Sequence, residues 1–170
     1  MSKASEVVVL IGPMGVGKTT IGRKLAKALK VPFIDTDNLI TDEHGPIPAI
    51  FEERGEPEFR RLEEKAMQNA ISETAVVATG GGAVLSELTR KRLKSVTVIY
   101  LSTDGKHIGS RLKNGNRPLL QNGVEDWRRI YEERKPIYQS AADFEINTSG
   151  QPISVSIKEI LKKLGKNVSE

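Results

Sequence analysis

The chain contains no cysteine. That excludes a disulfide scaffold, a zinc site built on thiolates and a thiol nucleophile. Aromatic residues make up only 5% of the sequence and are not interleaved with a basic stripe, which argues against nucleic acid as a partner. No apolar run approaches the roughly 20 residues that a membrane span needs. Met1-Ser2-Lys3-Ala4-Ser5-Glu6 leads into a short apolar stretch, Val7 to Ile11, without the hydrophobic region and cleavage site of a signal peptide. The expectation is a cytoplasmic protein with no membrane partner. Charge of one sign is scarce too: 26 Lys and Arg stand against 22 Asp and Glu, a net charge of +4 that suits small anionic ligands. The densest basic run, Arg90-Lys91-Arg92-Leu93-Lys94, reads as a solvated helix end. At 170 residues the chain fits one domain, expected to work as a monomer. A chain of that size buries roughly 70% of its unfolded surface, enough for a core without staples.

What is present alternates between two periodicities. Val7 to Ile11 is a continuous apolar run ending in glycine, as in a buried parallel strand. Lys18 to Leu29 carries Ile21, Leu25 and Leu29 on one helical stripe. Val31 to Asp35, Ala75 to Ala78, Val96 to Leu101 and Phe144 to Ile146 read as further strands. Residues 36–72 read as helix in several pieces, broken near Gly45-Pro46 and again at Gly55-Glu56-Pro57. Helices are expected from about Asp104 to Leu112, from Glu125 to about Ser140 with an interruption at Pro136, and from Ile153 to Leu164. Strands spaced by helices imply an α/β fold, a parallel sheet with helices on both faces.

Gly12-Pro13-Met14-Gly15-Val16-Gly17-Lys18-Thr19 fits G-x-x-x-x-G-K-[ST] in full, between an apolar strand and an amphipathic helix. Such glycines let backbone N–H groups turn inward to cradle phosphate, and the helix N-terminus adds partial positive charge. Lys18 is placed to reach the β/γ-phosphates, and the Thr19 hydroxyl to bind Mg²⁺. Gly80-Gly81-Gly82 does not continue as G-x-G-x-x-G, so a dinucleotide fingerprint is rejected. Asp42-Glu43-His44-Gly45 matches the D-x-x-G of GTPase switches, but it falls in a helical stretch. No N-K-x-D guanine-reading sequence exists in the chain. A kinase for a small molecule is therefore favoured over a GTPase.

Several residues admit two readings. Asp35 and Asp37 follow the second strand, where carboxylates face the ligand crevice of a parallel sheet. One can join the Mg²⁺ shell and the other meet a substrate hydroxyl, although Asp37 alone reads as a helix cap. Arg60, with Glu63 and Glu64 within a turn, reads by itself as a surface salt-bridge cluster beside the stripe of Phe59, Leu62, Ala66 and Ala70. Trp127, Tyr131, Arg134 and Tyr138 share one helical face. That puts a guanidinium on an aromatic stripe, where it must meet an anion, from the protein or from a ligand. Lys113 to Leu120 is a Gly/Asn-rich loop with Arg117 at its centre. Such a loop can close over a nucleotide and bring charge to the transferring phosphoryl group, or it can be a plain solvated loop.

Together these segments resemble shikimate kinase. The resemblance runs from Val7 to about Leu164. It is carried by the phosphate loop Gly12 to Thr20, Asp35-Thr36-Asp37, Ile50-Phe51, Gly55-Glu56, Phe59-Arg60-Arg61-Leu62-Glu63, Thr79 to Gly82, Arg117-Pro118-Leu119-Leu120, and Glu133-Arg134-Lys135-Pro136-Ile137-Tyr138. It implies a fold like that of nucleoside-monophosphate kinases, with a phosphate loop and a five-stranded parallel sheet in the order 2-3-1-4-5. The single kinase domain, 1–170, would comprise a core with its phosphate loop at 12–20, a substrate-binding segment at about 36–72 and a lid at about 113–124. The implied reaction is ATP-dependent phosphorylation of the 3-hydroxyl of shikimate, on the route to chorismate and the aromatic amino acids.

By the resemblance, Gly15, Val16, Gly17, Lys18, Thr19, Thr20, Arg111, Arg117 and Pro152 would bind ATP, with adenine between Arg111 and Pro152. Thr19 and Asp35 would hold Mg²⁺. Asp37 would contact the reacting hydroxyl, with Lys18 and Arg117 as its catalytic partners. The substrate carboxylate would meet Arg60, Arg134 and the backbone of the glycine triplet at Gly81 and Gly82. Glu63 would orient Arg60, and Phe51 and Phe59 would wall the ring. The resemblance thus reverses the bland reading of Arg60. No arginine stands among Thr148 to Pro152, where some relatives carry one facing the nucleotide. The alternative is another small-molecule or nucleoside-monophosphate kinase of the same fold, such as a gluconate kinase.

Overall fold

The computed structural model of the protein describes residues 4–112 and 118–166. Five parallel strands form one sheet: β1 (Ala4–Ile11), β2 (Phe33–Asp35), β3 (Ala75–Ala78), β4 (Val96–Ser102) and β5 (Phe144–Asn147). Their order is β2-β3-β1-β4-β5, with Val8 of β1 beside Val76 of β3 and Thr97 of β4. Helices cover both faces of the sheet, so the central strand β1 has no solvated face. Val7 to Ile11 are therefore all buried, which is why the segment reads as an unbroken apolar run rather than an alternating one.

Alternate residues of β1 feed two cores. Val7, Val9 and Ile11 pack with Met67, Trp127, Tyr131 and Tyr138, from α3 (Ile47–Ala70) and α6 (Val124–Ala141). Val8 and Leu10 pack with Leu25 and Ile160, from α1 (Lys18–Leu29) and α7 (Ile153–Lys163). A third, smaller cluster joins Ile40 of α2 (Thr36–His44) to Ile50, Phe59, Leu62 and Ala66 of α3. The chain also forms α4 (Glu87–Leu93), whose last turn carries Arg90, Lys91 and Arg92, and α5 (Ile108–Leu112).

The expected break at Gly55-Glu56-Pro57 is present: Gly55 adopts φ 83° and ψ 166°, a non-helical conformation that divides α3 into two segments. Pro57 sits at the start of the second segment, where no N–H is required. Two expectations are revised. Pro136 does not interrupt α6, which keeps Trp127, Tyr131, Arg134 and Tyr138 buried on one face. The helix expected from Asp104 begins only at Ile108. Thr103 Oγ1 accepts from Gly105 N at 3.1 Å and Asp104 Oδ1 from Lys106 N at 2.9 Å, so side-chain turns replace the first helical turn. Asp42 to Gly45 lies at the end of α2, away from any strand end, as the GTPase objection required.

Candidate active site

The C-terminal ends of the parallel strands lie along one edge of the sheet, and the connections leaving them build the site. The loop after β1 winds through Gly12, Gly15 and Gly17 at φ 148°, 79° and 108°, conformations that side chains resist. A Cβ on Gly12 would also lie 2.5 Å from the Leu101 carbonyl oxygen. The loop opens on a cleft of about 490 Å³ lined by Gly15 to Thr20, Asp35, Asp37, Gly80 and Gly81. Lys18 is buried and donates to Gly12 O at 2.6 Å and Pro13 O at 2.9 Å, so its ammonium is held at the loop. At the far end of the cleft, Arg111 Nη1 donates to Gly15 O at 2.9 Å. Pro152 caps α7 between Gln151 and Ile153, which both line the cleft. Gln151 Nε2 lies 3.0 Å from Asn147 O and 2.9 Å from Ser156 Oγ, which ties this turn to α7.

The two aspartates divide their work. Asp35 is the cap of α2: its Oδ1 accepts from Asp37 N at 2.9 Å and Asn38 N at 3.3 Å. Its Oδ2 accepts from the Thr19 hydroxyl at 2.9 Å. The capping reading of Asp37 is thereby corrected. With Asp35 in that role, the Asp37 carboxylate turns into the site, and a Cβ on Gly80 would lie 2.9 Å from its Oδ1. The Thr19 hydroxyl and Asp35 Oδ2 are neighbouring hard oxygen donors beside the phosphate loop. Mg²⁺ takes few protein ligands and completes its shell with phosphate and water, so this pair fits it. No cluster of three or more His, Asp or Glu residues suited to a metal occurs among the described residues.

A second recess, about 130 Å³, adjoins the cleft and shares Met14, Asp37, Gly80 and Gly81 with it. Phe51 and Phe59 form one wall, their ring centroids 4.8 Å apart. Arg60 donates to Glu63 Oε1 at 2.8 Å and to Glu56 Oε2 at 3.1 and 3.2 Å. Burial opposes its charge, but Glu63 and Glu56 outweigh that effect and hold the guanidinium above its ordinary value. Glu63 is buried, and desolvation raises its carboxyl despite the pull of Arg60. Its Oε2 accepts no hydrogen bond among the described residues and faces the Gly80 Cα. Glu64, the second acid that the sequence places within a turn of Arg60, turns away to accept from the Ser86 hydroxyl.

Arg134 enters the recess from α6 and is 7% exposed. Among the described residues no carboxylate is seen within ion-pair distance of it, although its charge acts on the buried Glu63 carboxylate and on the Tyr138 hydroxyl. Its Nη1 stands 3.5 Å from where a Gly81 Cβ would be. A Cβ on Gly82 would be 2.4 Å from Arg60 Nη1. The glycine triplet is thus a floor on which two carboxylates and two guanidiniums rest directly. Arg117 lies outside the described residues; Pro118 and Leu119, which follow it, line the recess.

Three residues of the site were not anticipated in these roles. Met14 lies between cleft and recess. Tyr138 donates to Gly81 O at 2.5 Å, and Trp127 Nε1 donates to Met14 O at 2.7 Å. Burial pushes the Tyr138 hydroxyl up to about 12, against the charge and hydrogen bond of Arg134. The signal for both aromatics lay in the α6 stripe, since a buried Tyr or Trp must find a partner for its polar atom.

A family model described as shikimate kinase matches residues 14–165. A shikimate kinase of Rhodococcus jostii is 43% identical over 166 residues, covering 93% of this chain and 97% of its own. The solved shikimate kinase of Acinetobacter baumannii, in complex with shikimate, superposes with a TM-score of 0.87 at 37% identity, over 96% of this chain and 95% of its own. A gluconokinase from Sinorhizobium meliloti reaches a TM-score of 0.59 at 17% identity over 96% and 94% of the two chains, a likeness of fold alone.

Proposed function

Because the chain belongs to the shikimate kinase family, we propose that it transfers the γ-phosphoryl group of ATP to the 3-hydroxyl of shikimate through the residues that line the cleft and the recess. The observation that carries this reading is the junction of the two at Asp37. Its carboxylate lies where the cleft beneath the phosphate loop meets a recess walled by Phe51 and Phe59 and charged by Arg60 and Arg134.

Phosphoryl transfer asks little covalent chemistry of the protein and much positioning and charge neutralisation. The backbone N–H groups of Gly15 to Thr20 cradle the phosphates, and the Lys18 ammonium neutralises charge on the β- and γ-oxygens. Arg111 and the turn ending at Pro152 flank the adenine. Arg60 and Arg134, two guanidiniums converging on Gly81 and Gly82, clamp the substrate carboxylate, with Glu63 holding Arg60 in place. With the acid fixed there, Asp37 accepts a hydrogen bond from the reacting hydroxyl and takes or directs its proton as the oxygen attacks phosphorus. Arg117 brings a further positive charge to the transferring group. Thr19 and Asp35 would hold Mg²⁺, which would supply neutralisation of phosphate charge.

Residues 36–72 would form the substrate-binding part of one kinase domain and about 113–124 its lid, of which 113–117 lie outside the described residues. Dependence on ATP supports action in the cytoplasm, and no described helix is long and apolar enough to cross a membrane. The test is ADP release with ATP, Mg²⁺ and one acceptor at a time: shikimate, its carboxamide, gluconate, AMP or CMP. Shikimate should be the productive acceptor. Equal turnover of acid and amide would remove the carboxylate clamp, and faster turnover of gluconate would overturn the substrate assignment.

A further inference from the structure

We propose that Trp127 is a positioning residue for the nucleotide: its indole N–H holds the Met14–Gly15 peptide so that the Gly15 N–H faces the phosphates. The inference rests on the reading of Gly12 to Thr19 as the phosphate-binding loop. A loop that offers its N–H groups to a ligand turns its carbonyls away, and carbonyls shielded from water need donors of their own. Here the donors are side chains. Lys18 Nζ serves Gly12 O and Pro13 O, Arg111 Nη1 serves Gly15 O at 2.9 Å and Val16 O at 3.3 Å, and Trp127 Nε1 serves Met14 O at 2.7 Å.

The three donors differ in kind. Lys18 and Arg111 are cations lining the cleft, so incoming phosphates draw on the same charges. Trp127 is neutral, 1% exposed, and outside the cleft lining, so its bond to the loop persists as the nucleotide enters. A planar trans peptide sends its C=O and its N–H in opposite directions. Fixing Met14 O on the indole therefore aims the Gly15 N–H at the other side, where Gly15 borders the cleft. Gly15 sits at φ 79° and as a glycine tolerates inversion of that peptide, so the backbone alone does not set its direction. The indole cannot easily follow a moving loop. A Cβ on Gly105 would lie 2.8 Å from the ring, and the Tyr131 ring packs 5.1 Å from it.

Trp127→Phe keeps an aromatic ring and removes the donor. One neutral hydrogen bond corresponds to a factor of about 2 to 15 in an equilibrium. The ADP dissociation constant from calorimetry, and the KM for ATP, should rise by such a factor while the KM for shikimate holds. Unchanged ADP affinity, with or without a lower melting temperature, would make Trp127 a packing residue and overturn the proposal. If the phenylalanine variant does not fold, benzothienylalanine at position 127 decides on the same terms, because sulfur replaces the N–H in a ring of nearly the same shape. Wild-type protein that failed to bind ADP at all would overturn the loop reading and, with it, this inference.

Discussion

Gly82→Ala should abolish tight substrate binding while sparing both the fold and the nucleotide site. Gly82 lies at φ −101° and ψ 6°, which alanine adopts without strain. What a methyl group meets there is the end of Arg60: Nη1 at 2.4 Å, Nη2 at 2.6 Å and Cζ at 2.7 Å. Ordinary contact begins near 3.4 Å, so the guanidinium must retreat by about 1 Å, the difference from 2.4 Å. A retreat of that size breaks the 2.8 Å bond to Glu63 and removes the fork from the floor of the recess. Arg60 ends in a flexible side chain that can swing toward Glu56, so the fold loses little. Each charge-assisted bond to the substrate carboxylate contributes about 1.5 to 3 kcal/mol, which at about 1.4 kcal/mol per decade predicts a 10- to 150-fold higher KM for shikimate. The KM for ATP and the melting temperature should stay near wild type. Steady-state kinetics with each substrate varied in turn, alongside a thermal melt, gives all three numbers. A variant that melts normally and keeps its KM for shikimate would show that Arg60 does not hold the substrate.

Other perturbations separate the remaining roles. Lys18→Met should lower kcat by orders of magnitude in single-turnover assays, since charge neutralisation dominates this chemistry; near-normal turnover would remove Lys18 from the mechanism. Asp37→Asn should lower kcat by about 10² to 10⁴ and leave the melting temperature nearly intact, because Asp35 caps α2. The converse change, Asp35→Ala, should lower the melting temperature through loss of a cap worth about 1 kcal/mol, and a normal melt would contradict that assignment. Glu63 titrates above its ordinary value of 4.5 in the folded protein, with burial the main cause, so the folded state binds more protons in that window than the unfolded chain. Stability from this group therefore falls as pH rises through the window. The wild-type melting temperature minus that of Glu63→Gln should shrink from pH 4.5 toward neutrality, and a widening difference would refute the sign.

The phosphate loop, the parallel strands and the carboxylate-bearing end of β2 were legible in the chain because each is encoded locally, whereas the order of the strands came only with the family resemblance. A buried parallel strand needs a continuous apolar run, a phosphate loop needs glycines at fixed spacing, and a helix stripe needs a period near 3.6. The same locality explains the errors. Asp35 and Asp37 are both good caps by residue type, and only the helix starting at Thr36, directly after β2, decides that Asp35 takes the role and Asp37 the site. Arg60 looked like surface charge because i+3 and i+4 acids are visible in sequence, whereas its approach to Gly82, 22 positions away, is not. The inward charge of Arg134 was readable from the α6 stripe, but the absence of a pairing carboxylate among the described residues depends on which elements face it. The bond from Trp127 to Met14 spans 113 positions and arises because α6 packs across the end of β1. Sequence determined which groups must be satisfied; tertiary packing decided which distant partner satisfies each, since contact across the sheet edge leaves no periodic trace in either segment.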